Sequence, residues 1–228
     1  MSVVTQGGID AATATERAVG LRIALPNGAL LEGACDLVGR AGLASLRPVD
    51  FDRVLLVDDG RNTWIKVRPT DVPVYVELGG ADAGIVGKDM LWEAAGREIY
   101  ELVDLRFGPC RLVLAAPSRS PLARGEWPPS LRVATKYPHA ARDFFDRINV
   151  VAELVKLHGS VELAPAAGLA DAILDITATG TTLRANHLVE VVEAATSTAR
   201  LIVNHASLKT RSAAVDAFAS ALRIAVAS

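Results

Sequence analysis

The densest group of chemically capable residues runs Asp175-Ile-Thr-Ala-Thr-Gly-Thr-Thr-Leu183. An acidic residue ends an apolar stretch, and threonines then surround one glycine. Gly180 carries no Cβ, so the backbone can come close to an anion there. Successive N–H groups can cradle a phosphate, and Thr179, Thr181 and Thr182 add hydroxyl donors. Asp175 stands where it can hold a ribose hydroxyl or a metal-bound water. The plainer reading is a polar loop that caps a helix beginning near Leu183, with Thr182 as its N-cap.

Three further segments place charge at the same kind of junction. In Gly84-Ile-Val-Gly-Lys-Asp89 a cation and a carboxylate follow a buried strand, and ligands of open α/β sheets gather at the carboxyl ends of strands. Lys88 can face a phosphate as a point charge, or pair with Asp89 on the surface of a helix start. In Ala134-Thr-Lys-Tyr-Pro138, Lys136 and Tyr137 can meet a base or a phosphate, or can simply precede a helix that opens on Pro138. In Lys156-Leu-His-Gly-Ser-Val-Glu-Leu-Ala-Pro165, Glu162 either bonds a sugar hydroxyl or sits in the first turn of a helix, stabilised by the macrodipole. Ser160 reads as the N-cap of that helix. The histidines His139, His158, His187 and His205 show neither metal-ligand spacing nor a triad partner.

Those junctions need strands and helices in alternation. Half of the 228 residues are hydrophobic but only 5% are aromatic, so the core is aliphatic, as parallel strands under helices require. Strands are expected at 21–25, 54–57, 64–67, 83–86, 100–105, 111–116, 131–134, 150–157, 172–176, 188–192 and 199–203. Helices are expected at 30–41, 74–78, 90–95, 138–148, 160–168 and 207–226. The last carries a stripe of Val215, Phe218, Leu222 and Val226. This order predicts a two-lobed α/β chain, with residues 20–107 plus 197–228 in one lobe and 108–196 in the other. Residues 1–19 read as a flexible N-terminal extension with no apolar signal segment. The net charge of −2 and the lack of a basic block argue against nucleic acid. No apolar run reaches membrane-spanning length. Cys35 and Cys110 read as free thiols of a reducing compartment, so a cytoplasmic protein is expected.

Taken together, six stretches resemble the ATP phosphoribosyltransferase family in order and spacing. They are LRIALPNGAL (21–30), VRPTDVPVYVELGGADAGIVGKDML (67–91), LVDLRFGPCRLVLA (102–115), RVATKYP (132–138), KLHGSVELAPAAGLADAILDITATGTTL (156–183) and STARLIVNHASLK (197–209). The resemblance implies a type II periplasmic-binding-protein-like fold with the active site in an interlobe cleft. It implies a glycosyltransferase that joins ATP to 5-phosphoribosyl 1-pyrophosphate with Mg²⁺ carried on the pyrophosphate, opening histidine biosynthesis. On this resemblance the phosphoribosyl substrate meets Glu162, Asp175, Thr177, Thr179, Gly180, Thr181, Thr182 and Leu183. ATP meets Asn27, Gly28, Asp89 and Tyr137, and Lys88 and Arg53 are the catalytic candidates. The chain length resembles the short type, which implies a histidyl-tRNA-synthetase-like regulatory subunit and a homodimer within a hetero-oligomer.

Two positions depart from the family pattern. The first turn reads Pro26-Asn27-Gly28-Ala29, where the family carries a lysine before the glycine and often an arginine after it. The residue after Gly180 is Thr181 rather than arginine or asparagine. Arg53 or Arg22 is the expected substitute for the cation absent from the first turn. Two other readings compete with the enzyme: a non-catalytic two-lobed anion-binding protein, and a degenerate paralogue.

Overall fold

The structure, a computed structural model, describes residues 20–228; the expected extension at 1–19 lies outside them. The chain divides into two compact units. One comprises residues up to Ile85, Glu98–Val103 and Ile202–Ser228; the other comprises Val86–Arg97 and Asp104–Leu201. The sequence reading puts residues 86–97 in the first lobe. Their side chains explain the difference, because Asp89 and Glu93 bond to Ser197, His139 and Ala140 of the second unit.

The first unit is built on a six-stranded sheet in the order β2-β3-β1-β4-β11-β5. Its strands are β1 (Arg22–Pro26), β2 (Leu56–Asp58), β3 (Thr63–Val67), β4 (Ala83–Gly87), β5 (Ile99–Asp104) and β11 (Ala199–Asn204). β1 runs parallel to both β3 and β4, and its Ile23, Ala24 and Leu25 are fully buried. Burial on both faces explains why the strand after Arg22 is continuously apolar rather than alternating. The β2–β3 turn closes on Asp59, whose carboxylate accepts from the N–H groups of Arg61 and Asn62 and from Trp64 Nε1. Burial pushes this carboxyl up, but those three bonds together hold it below the usual range.

Helix α1 (Leu31–Arg40) buries Leu31, Ala34, Cys35, Leu37 and Val38, the three- and four-residue repeat read from the sequence. Helix α2 (Val72–Glu77) comes so close to β4 that a Cβ on Gly84 would stand 2.7 Å from Val72 Cγ1 and 2.9 Å from Val76 Cγ2. A glycine inside a strand here marks that approach.

The expected final helix is two. Helix α6 (His205–Thr210) starts at Asn204, whose side chain accepts from the Ser207 N–H at 2.7 Å. Helix α7 (Ser212–Ala227) follows after a break at Arg211, where φ is −131°. The buried carboxylate of Asp82 accounts for the break. It accepts from the Arg22 N–H at 2.8 Å, from Ser207 Oγ at 2.8 Å and from Arg211 Nη1 at 3.0 Å, so Arg211 is drawn out of line. The buried stripe of α7 ends on Ala225 rather than Val226.

The second unit is built on a five-stranded sheet in the order β10-β6-β9-β7-β8. Its strands are β6 (Cys110–Pro117), β7 (Leu131–Thr135), β8 (Ala152–Lys156), β9 (Ala172–Thr177) and β10 (Leu188–Ser197). β7 is parallel to β8 and β9, while β6 is antiparallel to β9 and β10. Alternate residues of β6 enter different clusters: Leu112 and Leu114 pack with Phe144 and Phe145, and Val113 and Ala115 with Val161 and Ile173. Helix α3 (Lys88–Glu93), helix α4 (Pro138–Arg147) and a short α5 (Thr181–Ala185) complete the unit. β10 is ten residues long, twice the expected strand, with irregular register at Glu190/Val192 and Glu193/Ala195. The helix expected at 160–168 is a single 3-10 turn, Val161–Leu163. Ser160 precedes it at φ +48° and caps nothing with its side chain, and Pro165 has no N–H with which to extend the turn.

Adding a methyl group at Gly84 drives it into Val72 and Val76. Gly84→Ala is expected to cost about 1–3 kcal/mol of stability. The cost reads as a lower urea midpoint at an unchanged slope.

Candidate active site

The site is created by strand register in the second unit. β7 and β9 are parallel with Thr135 beside Leu174, so the next residues, Lys136 and Asp175, come level as well. Lys136 Nζ stands 3.8 Å from Asp175 Oδ2. β8 pairs with β7 as Thr135 beside Lys156, so the chain leaving β8 brings Glu162 to the same end of the sheet. The three parallel strands thus deliver their following loops to one carboxyl edge. There a cavity of about 360 Å³ is lined by Lys136, Glu162, Asp175, Thr177, Thr179, Thr181, Thr182 and Leu183, among others.

Within the loop, Gly180 takes φ +71°, a left-handed conformation that suits glycine. It is the N-cap of α5, so the helix begins at Thr181 and Thr182 is not its cap. The Gly180 N–H donates to Thr177 Oγ1 at 2.9 Å, and the Thr179 and Thr181 hydroxyls are 2.9 Å apart. The first-turn N–H groups of Thr181 and Thr182 have no intrahelical acceptor. Burial pushes the Asp175 carboxyl above the usual range and Glu162 adds to the rise, against the opposing pull of Lys136 and the Ile176 N–H. The cavity lining therefore offers hydroxyl and N–H donors together with two carboxylates and one ammonium. That pattern suits a sugar phosphate: donors for the phosphate, acceptors for the hydroxyls.

Asp89 and Tyr137, expected at ATP, are both buried in a polar cluster of the second unit. Ser197 Oγ accepts from the Asp89 N–H and donates to Asp89 Oδ1, each at 3.0 Å, and Tyr137 Oη donates to Asp89 Oδ2 at 3.4 Å. Burial first, and the nearby Asp89 and Asp175 carboxylates second, push the Tyr137 hydroxyl far up, so it stays a donor. At 4% exposure its ring packs in the core with Phe144. Through these bonds the two residues hold the start of α3. Lys88 is half-buried at that start, its N–H donating to the Thr198 carbonyl.

Asn27, Gly28 and Arg53 lie in the first unit. Asn27 and Gly28 follow the carboxyl end of β1; the Asn27 N–H donates to the Val67 carbonyl at 2.8 Å, and Gly28 takes φ +75°. Arg53 is exposed in the bend after the 3-10 turn Pro48–Phe51. Arg22 does not replace the absent cation, because it opens β1 at the opposite end and donates to the Gly79 carbonyl at 2.7 Å. Arg68 does stand at the correct end. Pro26 pairs with Val67 in parallel register, so the exposed Arg68 comes level with Asn27. Sequence reasoning passed over Arg68, although a cation straight after an apolar strand is the signal that singled out Lys88 and Lys136.

Fold and loop together define a two-unit α/β protein with a threonine- and glycine-rich loop at the carboxyl edge of parallel strands. Among solved structures, the alkanesulfonate-binding protein SsuA from Xanthomonas axonopodis pv. citri shares this fold at TM-score 0.54 and 15% identity, covering 91% of this chain and 73% of its own. A chain of the ATP phosphoribosyl transferase (HisG:HisZ) complex from Thermotoga maritima superposes at TM-score 0.75 and 32% identity, covering 91% of this chain and 98% of its own. The family model for HisG, ATP phosphoribosyltransferase, matches residues 68–224. The ATP phosphoribosyltransferase of Deinococcus deserti is 51% identical over 191 residues, 84% of this chain and 86% of its own. That of Caldanaerobacter subterraneus subsp. tengcongensis is 47% identical over 192 residues, 83% and 90%. The chain belongs to the ATP phosphoribosyltransferase family, and is a transferase.

Two outcomes are expected at the loop. In Gly180→Val a side chain is forced into the left-handed region and a Cβ stands 3.0 Å from Arg184 Nη1 and 3.1 Å from Glu190 Oε1. Calorimetry is expected to show phosphoribosyl pyrophosphate binding abolished, while circular dichroism shows the fold retained. At Asp175 the folded carboxyl titrates above its unfolded counterpart, so folding is favoured at low pH and that contribution is lost as pH rises through the raised value. Asp175→Asn is therefore expected to raise the unfolding midpoint at pH 7, with the gain vanishing in acid.

Proposed function

We propose that this enzyme joins ATP to 5-phosphoribosyl 1-pyrophosphate, giving N1-(5-phosphoribosyl)-ATP and pyrophosphate, the first step of histidine biosynthesis. The observation that carries the reading is the cavity beside the Gly180 loop, whose lining combines Thr177, Thr179, Thr181 and Thr182 with Asp175, Glu162 and Lys136.

The 5′-phosphate rests on the N–H groups of Thr181 and Thr182, on one hydroxyl of the Thr179–Thr181 pair and on the Thr182 hydroxyl. Asp175 and Glu162 accept from the ribose hydroxyls, and Lys136 offsets their charge. Adenine N1 attacks the anomeric carbon with its ring lone pair. The bond from that carbon to the pyrophosphate oxygen breaks, and pyrophosphate leaves with the electron pair. The nucleophile has no proton to lose, so the protein's task is to hold two substrates in line and balance developing charge. Mg²⁺ arrives with the pyrophosphate as part of the substrate. Among the described residues no three His, Cys, Asp or Glu side chains gather to hold a metal of their own. Lys88 and Arg53 are assigned to the phosphates of the reacting pair, and Arg68 with Asn27 and Gly28 to ATP. Arg68 supplies the charge that the first turn lacks.

The partner in this reading is a HisZ-type regulatory subunit resembling histidyl-tRNA synthetase, with this chain as a homodimer inside a hetero-oligomer. The Thermotoga maritima complex, whose catalytic chain is 32% identical, supports it. Among the described residues no helix is long and apolar enough to cross a membrane, and we place the enzyme in the cytoplasm, where ATP and its co-substrate are made.

The test is an absorbance assay for phosphoribosyl-ATP with purified chain, both substrates and Mg²⁺, with and without the regulatory subunit. Product is expected, more of it with the subunit. Binding of phosphoribosyl pyrophosphate without product in either condition would instead identify an anion-binding protein. Arg68→Ala is expected to raise the KM for ATP by about tenfold or more, the scale of a lost charge-assisted bond, and to leave phosphoribosyl pyrophosphate binding unchanged.

A further inference from the structure

Arg184 does not line the cavity, yet it holds the loop that does. Its Nη1 donates to the Thr179 carbonyl and its Nη2 to Thr181 Oγ1, both at 3.1 Å. A trans peptide is planar, so the Thr179 carbonyl and the Gly180 N–H point in opposite directions. Arg184 takes the first and Thr177 Oγ1 takes the second, at 2.9 Å. The Thr179–Gly180 peptide is thereby clamped at both ends, in the conformation with φ +71° at Gly180.

The second bond has a chemical consequence. A guanidinium only donates, so Thr181 Oγ1 accepts from it. The hydroxyls of Thr179 and Thr181 lie 2.9 Å apart and share one hydrogen between them. Two hydroxyls carry two hydrogens, so one O–H of the pair is left to donate outward. The guanidinium charge makes that donor stronger. Glu190 stands near the guanidinium: Arg184 Nη1 and Glu190 Oε1 lie 3.0 and 3.1 Å from the point where a Cβ on Gly180 would stand. Glu190 is in turn held by Arg111, through bonds of 2.7 and 2.9 Å. The Arg111 bonds first, and the charges of Arg111 and Arg184 after them, keep the Glu190 carboxyl below its usual range, so it remains an anion beside the loop.

We propose that Arg184 is a positioning residue for the phosphoribosyl substrate: it fixes the Thr179–Gly180 peptide and orients the Thr179–Thr181 hydroxyl pair so that one O–H is presented to the 5′-phosphate. The proposal rests on the reading that this loop holds that phosphate.

The test is a double-mutant cycle of Arg184→Ala and Thr181→Val, with Arg184→Lys alongside, in the full chain with its regulatory subunit. Arg184→Ala is expected to raise the KM for phosphoribosyl pyrophosphate about tenfold, the scale of a bond to a charged group. The KM for ATP and kcat should stay within about twofold of the parent. Ribose 5-phosphate, used as a competing ligand, should weaken by the same factor, while pyrophosphate should not. Thr181→Val should add little on top of Arg184→Ala, because the arginine acts through that hydroxyl. Arg184→Lys, which keeps the charge but loses the fork, should recover only part of the affinity. Additive effects, equal rises in both KM values, or unchanged ribose 5-phosphate binding in Arg184→Ala would each overturn the role. Failure of the unsubstituted enzyme to bind ribose 5-phosphate would instead remove the loop itself from the phosphate site.

Discussion

Strands β7 and β9 leave the second sheet at the same height, and the chemistry of this protein hangs on that level. Thr135 lies beside Leu174, so the residues that follow, Lys136 and Asp175, meet as an ion pair in the lining of the cavity. A slip of one residue would carry alternate side chains of β9 to the other face of the sheet. Asp175 would leave the cavity, and Ile173 and Leu174 would exchange the two apolar clusters they now fill. Packing and site are therefore specified together: the apolar pattern that buries β9 also sets the height at which its polar loop begins.

Charge in this cavity is held at a cost. Asp175 is surrounded by apolar strand on most sides and shares the space with Glu162, so its ionised form is disfavoured by burial before any substrate enters. Lys136 returns part of that cost, and ribose hydroxyls would return more. Such a residue weakens the empty protein in exchange for a site that is ready-made. The Asp89–Ser197–Tyr137 cluster represents the opposite case. There each polar group meets a partner within the protein, and those bonds tie the start of α3 to Ser197 and Tyr137.

The local patterns were legible in the sequence because they are set by near neighbours. The apolar run before Pro26, the helix after it and the threonine loop around Gly180 all follow from spacing and turn chemistry alone. What could not be read depends on contacts between distant residues. Arg211 is drawn out of helix by Asp82, a residue 129 positions away, and nothing near Arg211 announces a break. The bond between Asp89 and Ser197, 108 positions on, is equally invisible from the residues around Asp89. Ser160 looked like a cap, yet the 3-10 turn it precedes leaves its hydroxyl without that role. Arg68 and Arg184 were passed over for a different reason. Each gains meaning from what a parallel neighbour or a returning turn brings beside it, and a linear reading shows neither.

The chain passes between its two units four times, and both β4–β11 and β11–β5 are neighbouring pairs in the first sheet. That sheet therefore waits for its own interior. On a ribosome, synthesis proceeds from the N-terminus at about 5–20 residues per second. β1 to β5 emerge early with a slot left between β4 and β5, and only residues 199–204 can fill it. The second unit, by contrast, has all of its strands once β10 has emerged. The half that carries the threonine loop is thus free to mature first, and the other half is completed only after β11 has followed β10.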